Sequence, residues 1–410
     1  MRIVLGLLLS IATLFADGIG RDEYRARRAD VRKSLDGVMV LFGANEPDDL
    51  HVSFFQDSNF LYLSGWREPG AVMMLTRNEE ILLLPERNAR TEIFTGRKLG
   101  AEDKDAPERT GFDKVLPHSA IETTFLRLLE NSNLLYTVDG DPRSHKLAQL
   151  APFHETSPAG RVIARKRMMK SPAELELITK ATDATVAAHL AAWKKMKPGA
   201  YEYQIAAEMT DVYFEHGCER SAYAPIVGSG PNSTVLHYMA NRRRMDAGEV
   251  VVMDVGAECS DYASDVTRTV PANGKFSARQ REIYEVVLGA QKAAIAAVKP
   301  GMKMRGDDSL QQIAFDYINT HGKDLHGEPL GKYFTHGLSH HVGLDVHDPN
   351  DPMATLKAGM VITIEPGIYI PEENIGVRIE DTVLVTEDGV KNLSAALPRE
   401  VNEIEKLVSK

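Results

Sequence analysis

Cysteine and tryptophan are scarce in this chain of 410 residues, at two each. Two thiols, Cys218 and Cys259, cannot build a disulfide framework or a cysteine-rich zinc site. Basic residues are outnumbered by acidic ones, 48 against 58, for a net charge of −10. No long Lys/Arg run interrupts that deficit, so the charge that draws proteins to a phosphate backbone is missing and nucleic acid is excluded as the main partner. No apolar run reaches the ~20 residues that span a bilayer. With 43% hydrophobic and 26% charged residues the balance is globular, which excludes disorder. A prior of roughly 150 residues per domain allows two or three domains.

The N-terminus carries a targeting pattern. Met1-Arg2 leads into an apolar stretch over 3–15 that closes on Ala16 before Asp17. One positive charge, a short apolar segment and a small residue at the cut predict a secretory signal over 1–16. The expectation is an exported protein, periplasmic or secreted, with no lasting membrane anchor.

Short apolar runs alternating with charged stretches then predict an α/β domain over 17–160. Strands are expected over 38–42, 71–75, 81–84 and 134–138, with a helix over 121–130. No catalytic constellation is visible there. Residues 161–173 read as a linker whose basic cluster (Arg161, Arg165, Lys166, Arg167, Lys170) is solvated. Ser171-Pro172-Ala173-Glu174 is a capping-box signature that opens a new helix and a second domain over 174–410.

That second domain repeats itself. A helical stretch over 174–196 ends in Lys197-Pro198-Gly199, and a second runs to His216-Gly217. Later, a stretch over 277–298 ends in Lys299-Pro300-Gly301, and a second runs to His321-Gly322. Each half then reaches an apolar strand with an acidic residue at its end: Val-Val-Val-Met before Asp254, and Val-Ile-Thr-Ile before Glu365. Downstream, Asp265-Val266-Thr267 aligns with Glu380-Asp381-Thr382. Two similar halves that each supply two carboxylates predict a pseudo-twofold domain with a site on its axis.

A carboxylate at the end of a buried strand is costly unless a cation or strong donors compensate it. Four in matching places, with histidines nearby, favour a pair of divalent ions, which can share bridging carboxylates about 3.5–4 Å apart. The histidines cluster in His336-Gly337-Leu338-Ser339-His340-His341 and at His347, with His237 earlier. A mostly oxygen set with one nitrogen suits manganese and leaves cobalt, iron or zinc as alternatives. Both cysteines read as unpaired small residues, with a Cys218–Cys259 bridge left open. Met168, Met169 and Trp193 read as packing residues.

Taken together, these strings resemble those of the pita-bread metallopeptidases, in particular the aminopeptidase P branch. The resemblance rests on Ser58-Asn59-Phe60-Leu61-Tyr62-Leu63-Ser64-Gly65, Ile226-Val227-Gly228-Ser229-Gly230, Ser264-Asp265-Val266-Thr267-Arg268-Thr269, Ile364-Glu365-Pro366-Gly367-Ile368-Tyr369 and Gly376-Val377-Arg378-Ile379-Glu380-Asp381. It implies an N-terminal α/β domain followed by a pseudo-twofold α/β catalytic domain. It implies five metal ligands: Asp254 on one ion, Asp265 and Glu380 bridging, His340 and Glu365 on the second. It implies hydrolysis of the bond between an N-terminal residue and a following proline by a hydroxide held between two divalent ions. Glu365 would carry the proton, His347 would meet the scissile carbonyl and His237 the leaving-group side. His336 would line the proline pocket, Arg378 would orient the carboxylates and His347, and Tyr223 and Tyr369 would lie near the site. Peptides with proline at position two are the implied partners, and a dimer or tetramer the expected assembly. Prolidase, confined to dipeptides, is the alternative, and a non-catalytic peptide-binding protein of the same fold a more distant one. The first domain is expected to wall the cleft or to build the oligomer.

Overall fold

The computed structural model describes residues 18–49, 51–351 and 353–408. The signal-peptide expectation therefore lies outside the described residues. Among those described, no helix is long and apolar enough to cross a membrane.

The first domain is built on a six-stranded mixed sheet. Its order is Lys114–Pro117, Glu80–Leu84, Val72–Leu75, Val38–Phe42, Leu134–Thr137 and Glu155–Pro158. The expected strands are all present, and the helix Ile121–Leu129 lies where the periodicity placed it. Val38–Phe42 is buried along its whole length because both faces of the sheet are covered. Side chains alternate across a strand, so Val38, Val40 and Phe42 join a small core with Phe125 and Leu129. Met39 and Leu41 face the other way, into a core shared with Ile178, Tyr262, Val342 and Val361 of the second domain. Helices of the first domain cover that face too, and their core continues into the catalytic domain.

The basic segment departs from its expectation. Residues Ala159–Arg167 form a helix; Arg161 and Arg165 are exposed, but Arg167 and Lys170 are buried. The solvated reading fails for these two because their charges are matched by acids from the second domain. Ser171 does cap the next helix, Pro172–Lys195: its hydroxyl accepts from Glu174 N while Glu174 returns a bond to Ser171 N.

The repeat is visible in space. Helix pairs Pro172–Lys195 with Glu202–Glu215, and Ala278–Ala297 with Leu310–His321, each begin at a capping box, the second formed by Ser277 and Gln280. Both long helices stop at Pro-Gly, where Gly199 and Gly301 take φ of 89° and 88°, a conformation other residues rarely adopt. Each glycine N–H then donates 2.8 Å to a carbonyl, of Met245 and of Leu356 respectively. Strands Val250–Val255 and Val266–Pro271 pair antiparallel, as do Val361–Ile364 and Asp381–Val385. The halves are stitched where these pairs meet. Glu380 N donates to Thr267 O at 3.0 Å, and the Thr382 hydroxyl donates to Asp265 O at 2.6 Å. The buried Arg268 reaches across to Glu380 O and to the Asp381 carboxylate, at 2.6 and 2.7 Å.

Cys218 and Cys259 are bonded to each other, which overturns the unpaired reading. The cause is non-local: Arg220–Ser221 pairs antiparallel with Ala257–Glu258 and carries the two thiols together across 41 residues of sequence.

Candidate active site

The strand ends bring the four acids to one place. Asp254 is the penultimate residue of its strand and Glu365 follows the end of the matching one; Asp265 and Glu380 each immediately precede a strand. Ligand atoms of Asp265, His340 and Glu380 all lie within 4.8 Å of one another. Glu365 joins them through Oε1, 3.4 Å from His340 Nε2, which is also 3.4 Å from Asp265 Oδ2. Asp254 is tied in through Tyr223, whose hydroxyl lies 2.5 Å from both Asp254 Oδ1 and Asp265 Oδ1. All five expected ligands converge.

Their electrostatics ask for a cation. Burial, then the Asp254 and Glu365 charges, push the Asp265 carboxyl well above its ordinary range. Burial and the Asp265 and Asp254 charges do the same to Glu380. Burial and Glu380 push Glu365 up to about 8. Asp254 goes the other way: burial opposes ionisation, but Arg378 and the Tyr223 hydroxyl hold it below the usual carboxylate range. One oxygen of Glu380 accepts from the Thr267 hydroxyl at 2.6 Å, while the other, Oε1, is buried with no hydrogen-bond partner among the described residues. A buried carboxylate oxygen without a donor is costly, and divalent ions shared among these groups would satisfy it. The donor set, four carboxylates and one imidazole, fits such ions.

Around the acids runs a cavity of about 460 Å³, lined among others by Tyr223, His237, Arg305, His336, His340, His347 and Arg378. The rings of His340 and His347 lie 4.0 Å apart. Burial, then His340 and His237, hold His347 down at about 4, so it is neutral at pH 7. Burial and Arg378 hold His336 at about 4 as well. Arg378 donates 2.7 Å to the Tyr369 hydroxyl, which leaves that hydroxyl's own proton for His336 Nε2 at 2.9 Å. His336 Nδ1 then donates to Gly337 O at 2.9 Å, which assigns the tautomer. Arg378 also grips Asp254 Oδ2 at 2.5 Å. The guanidinium thus holds one carboxylate, that of Asp254; its other end is taken by Tyr369, and among the described residues it forms no hydrogen bond with His347.

Residues 176–387 match the family model "Metallopeptidase family M24", and residues 24–136 match "Aminopeptidase P, N-terminal domain". The first match spans more than half of the sequence. The chain belongs to metallopeptidase family M24. The Xaa-Pro aminopeptidase of Haemophilus influenzae is 35% identical, over 95% of this chain and 97% of that protein. The Xaa-Pro dipeptidase of Pyrococcus furiosus is 43% identical, over 57% of this chain and 65% of its own. Among solved structures, a zinc-substituted Escherichia coli aminopeptidase P in complex with product superposes with a TM-score of 0.86 at 31% identity, covering 95% of this chain and 98% of that one.

Within this M24 fold, several functional contacts escaped sequence reasoning. Thr363 donates 3.0 Å to Glu365 Oε1 and accepts 3.1 Å from His340 N, so one hydroxyl aligns two expected ligands. Thr267 serves Glu380 in the same way. Both lie two residues from an acid, on the same side of an extended chain, which is the signal that could have found them.

The largest omission is behind His347. Arg167 donates to Asp345 Oδ2 at 2.7 Å and Asp348 Oδ1 at 2.6 Å, and Lys170 to Asp348 Oδ2 at 2.7 Å. The Ser58 hydroxyl donates 2.6 Å to Asp345 Oδ1, and Arg167 donates 2.9 Å to Asn59 Oδ1. Burial works against the Asp348 charge, but Lys170 and Arg167 hold it below the usual range. Among the described residues none before Tyr223 lines the cavity. Through Ser58, and through Asn59 by way of Arg167, the first domain braces the loop that presents His347.

Proposed function

We propose that the protein removes the N-terminal residue from peptides whose second residue is proline, as a dinuclear metal-dependent Xaa-Pro aminopeptidase. The observation that carries this is the convergence of Asp254, Asp265, His340, Glu365 and Glu380 around a buried, unpartnered carboxylate oxygen. Asp254 would hold one ion, Asp265 and Glu380 both, and His340 and Glu365 the other. Two divalent ions, manganese by donor type with cobalt, iron or zinc as alternatives, would supply Lewis acidity and a hydroxide at neutral pH.

The chain's own groups do the rest. Glu365, whose carboxylate faces the cavity beside His340, would take a proton and pass it to the leaving prolyl nitrogen. A neutral His347 keeps an N–H to offer the developing oxyanion. His237 lines the same cavity and would serve the leaving-group side, and His336, fixed by Tyr369, would line the proline pocket. A prolyl nitrogen has no hydrogen, so such a site must select by ring shape. The H. influenzae and E. coli proteins support the aminopeptidase reading because the likeness runs through both domains. The P. furiosus relative, alike over 57% of this chain, favours a second reading, dipeptide cleavage.

Product analysis separates them. The manganese-loaded protein is expected to release free alanine and Pro-Leu from Ala-Pro-Leu, and to leave Ala-Ala-Leu at least ~10-fold slower, as a shape-selective pocket can achieve. Cleavage of Ala-Pro with tripeptides untouched would make it a dipeptidase. Equal rates on both tripeptides would remove the proline pocket.

A further inference from the structure

Apart from Arg378, whose guanidinium is committed to Asp254 and Tyr369, a single lysine or arginine among the described residues lines the catalytic cavity: Arg305. It stands in the turn before the helix Leu310–His321, and its side chain is exposed. Among the described residues it forms no hydrogen bond or ion pair, although Asp307 and Asp308 follow it directly. Its guanidinium lies over Gly337: a methyl group built on that glycine would meet Arg305 Nη2 at 2.9 Å. Gly337 is the neighbour of His336, and the small residue is what lets the cation close over this side of the cleft.

We propose that Arg305 is a specificity residue that binds a carboxylate on the leaving-group side of the substrate, above all the C-terminal carboxylate of a short peptide. This rests on the Xaa-Pro reading above. The four cavity carboxylates balance two divalent ions in charge, so a loaded site retains little net field for an anion. Five further lining residues, Ala224, Ile226, Leu236, Met239 and Val346, are apolar and offer nothing to a charge. An extended peptide advances ~3.3–3.6 Å per residue, so the end of Xaa-Pro-Xaa lies roughly 7 Å beyond the scissile bond, within reach of a long side chain at the rim. Guanidinium and carboxylate match as a planar two-point pair, which an amide end cannot reproduce. The pair is solvent-accessible, so its effect is a preference of about fivefold and not an absolute requirement.

The test compares Ala-Pro-Leu with Ala-Pro-Leu-amide, and Ala-Pro-Glu-amide with Ala-Pro-Gln-amide, on the metal-loaded protein and its Arg305→Ala and Arg305→Glu variants. In the wild type kcat/KM should favour the free acid about fivefold. Arg305→Ala should bring that ratio close to one, and Arg305→Glu below one. A Glu-to-Gln ratio that also collapses assigns Arg305 to carboxylates of either origin; one that stays put assigns it to the chain end. Identical acid-to-amide and Glu-to-Gln ratios in wild type and Arg305→Ala would overturn the proposal. Calorimetry with Pro-Leu and Pro-Leu-amide keeps this separate from the activity: an Arg305-dependent preference for the acid, in a protein that cleaves no Xaa-Pro bond, would sustain the carboxylate site and refute the hydrolytic reading.

Discussion

Glu380→Gln is expected to abolish turnover of Ala-Pro-Leu, by about a thousandfold or more, and to strip the protein of metal while leaving its fold intact. The substitution keeps the size of the side chain and its bond from Thr267 but removes the charge that would bridge two ions. Metal-supplied stabilisation of several kcal/mol corresponds to that loss in rate. A second consequence distinguishes this from simple unfolding. Glu380 sits among Asp265 and Asp254 with its carboxyl pushed up, so in the absence of metal its ionised form opposes folding at pH 7. The metal-free variant should therefore melt no lower than the metal-free wild type. Full metal occupancy in Glu380→Gln would show that the bridging assignment is wrong.

Arg167→Met is expected to lower stability by about 3–5 kcal/mol, because it leaves the Asp348 carboxylate buried with half of its compensation gone. Turnover by the folded fraction should fall as well, by about 10–100-fold, since the loop from Asp345 to Asp348 carries His347 and a displacement of ~1 Å at a reacting group costs that much. A milder variant tests the same connection without the folding risk. Ser58→Ala removes one hydrogen bond to Asp345 and should cost no more than about 1.5 kcal/mol, with kcat lowered and KM little changed. Unchanged kcat in both variants would limit the buried cluster to a structural role. The Asp348 contribution has a sign in pH: its carboxyl is held below its unfolded value, so the stability it adds is present at neutral pH and is lost as pH falls through that depressed value.

Much of this architecture was legible because its signals are local. The capping box at Ser171, Pro-Gly at the ends of the two long helices, and acids closing apolar strands all declare themselves within a few residues. The repeat then doubled the acidic signal, and the four carboxylates it matched line one cavity. What stayed hidden is joined across the chain. Arg167 looks like a solvated charge beside Arg165 and Lys166, and only its acids, 178 and 181 residues away, make it a buried one. Cys218 and Cys259 meet through strand pairing that neither neighbourhood encodes. Arg305 lies in a run of Gly and Asp that reads as an exposed turn, and its place at the cavity rim depends on how that turn packs on Gly337.

The most direct test of the central claim counts metal and activity on the same samples. Protein freed of metal by a chelator is titrated with manganese, its bound metal determined by elemental analysis and its release of alanine from Ala-Pro-Leu followed in parallel. Activity should be absent from the stripped protein and reach its plateau as occupancy approaches two ions per chain, the number that four carboxylates and one imidazole can share. Full activity persisting in protein from which the metal has been removed would contradict the account.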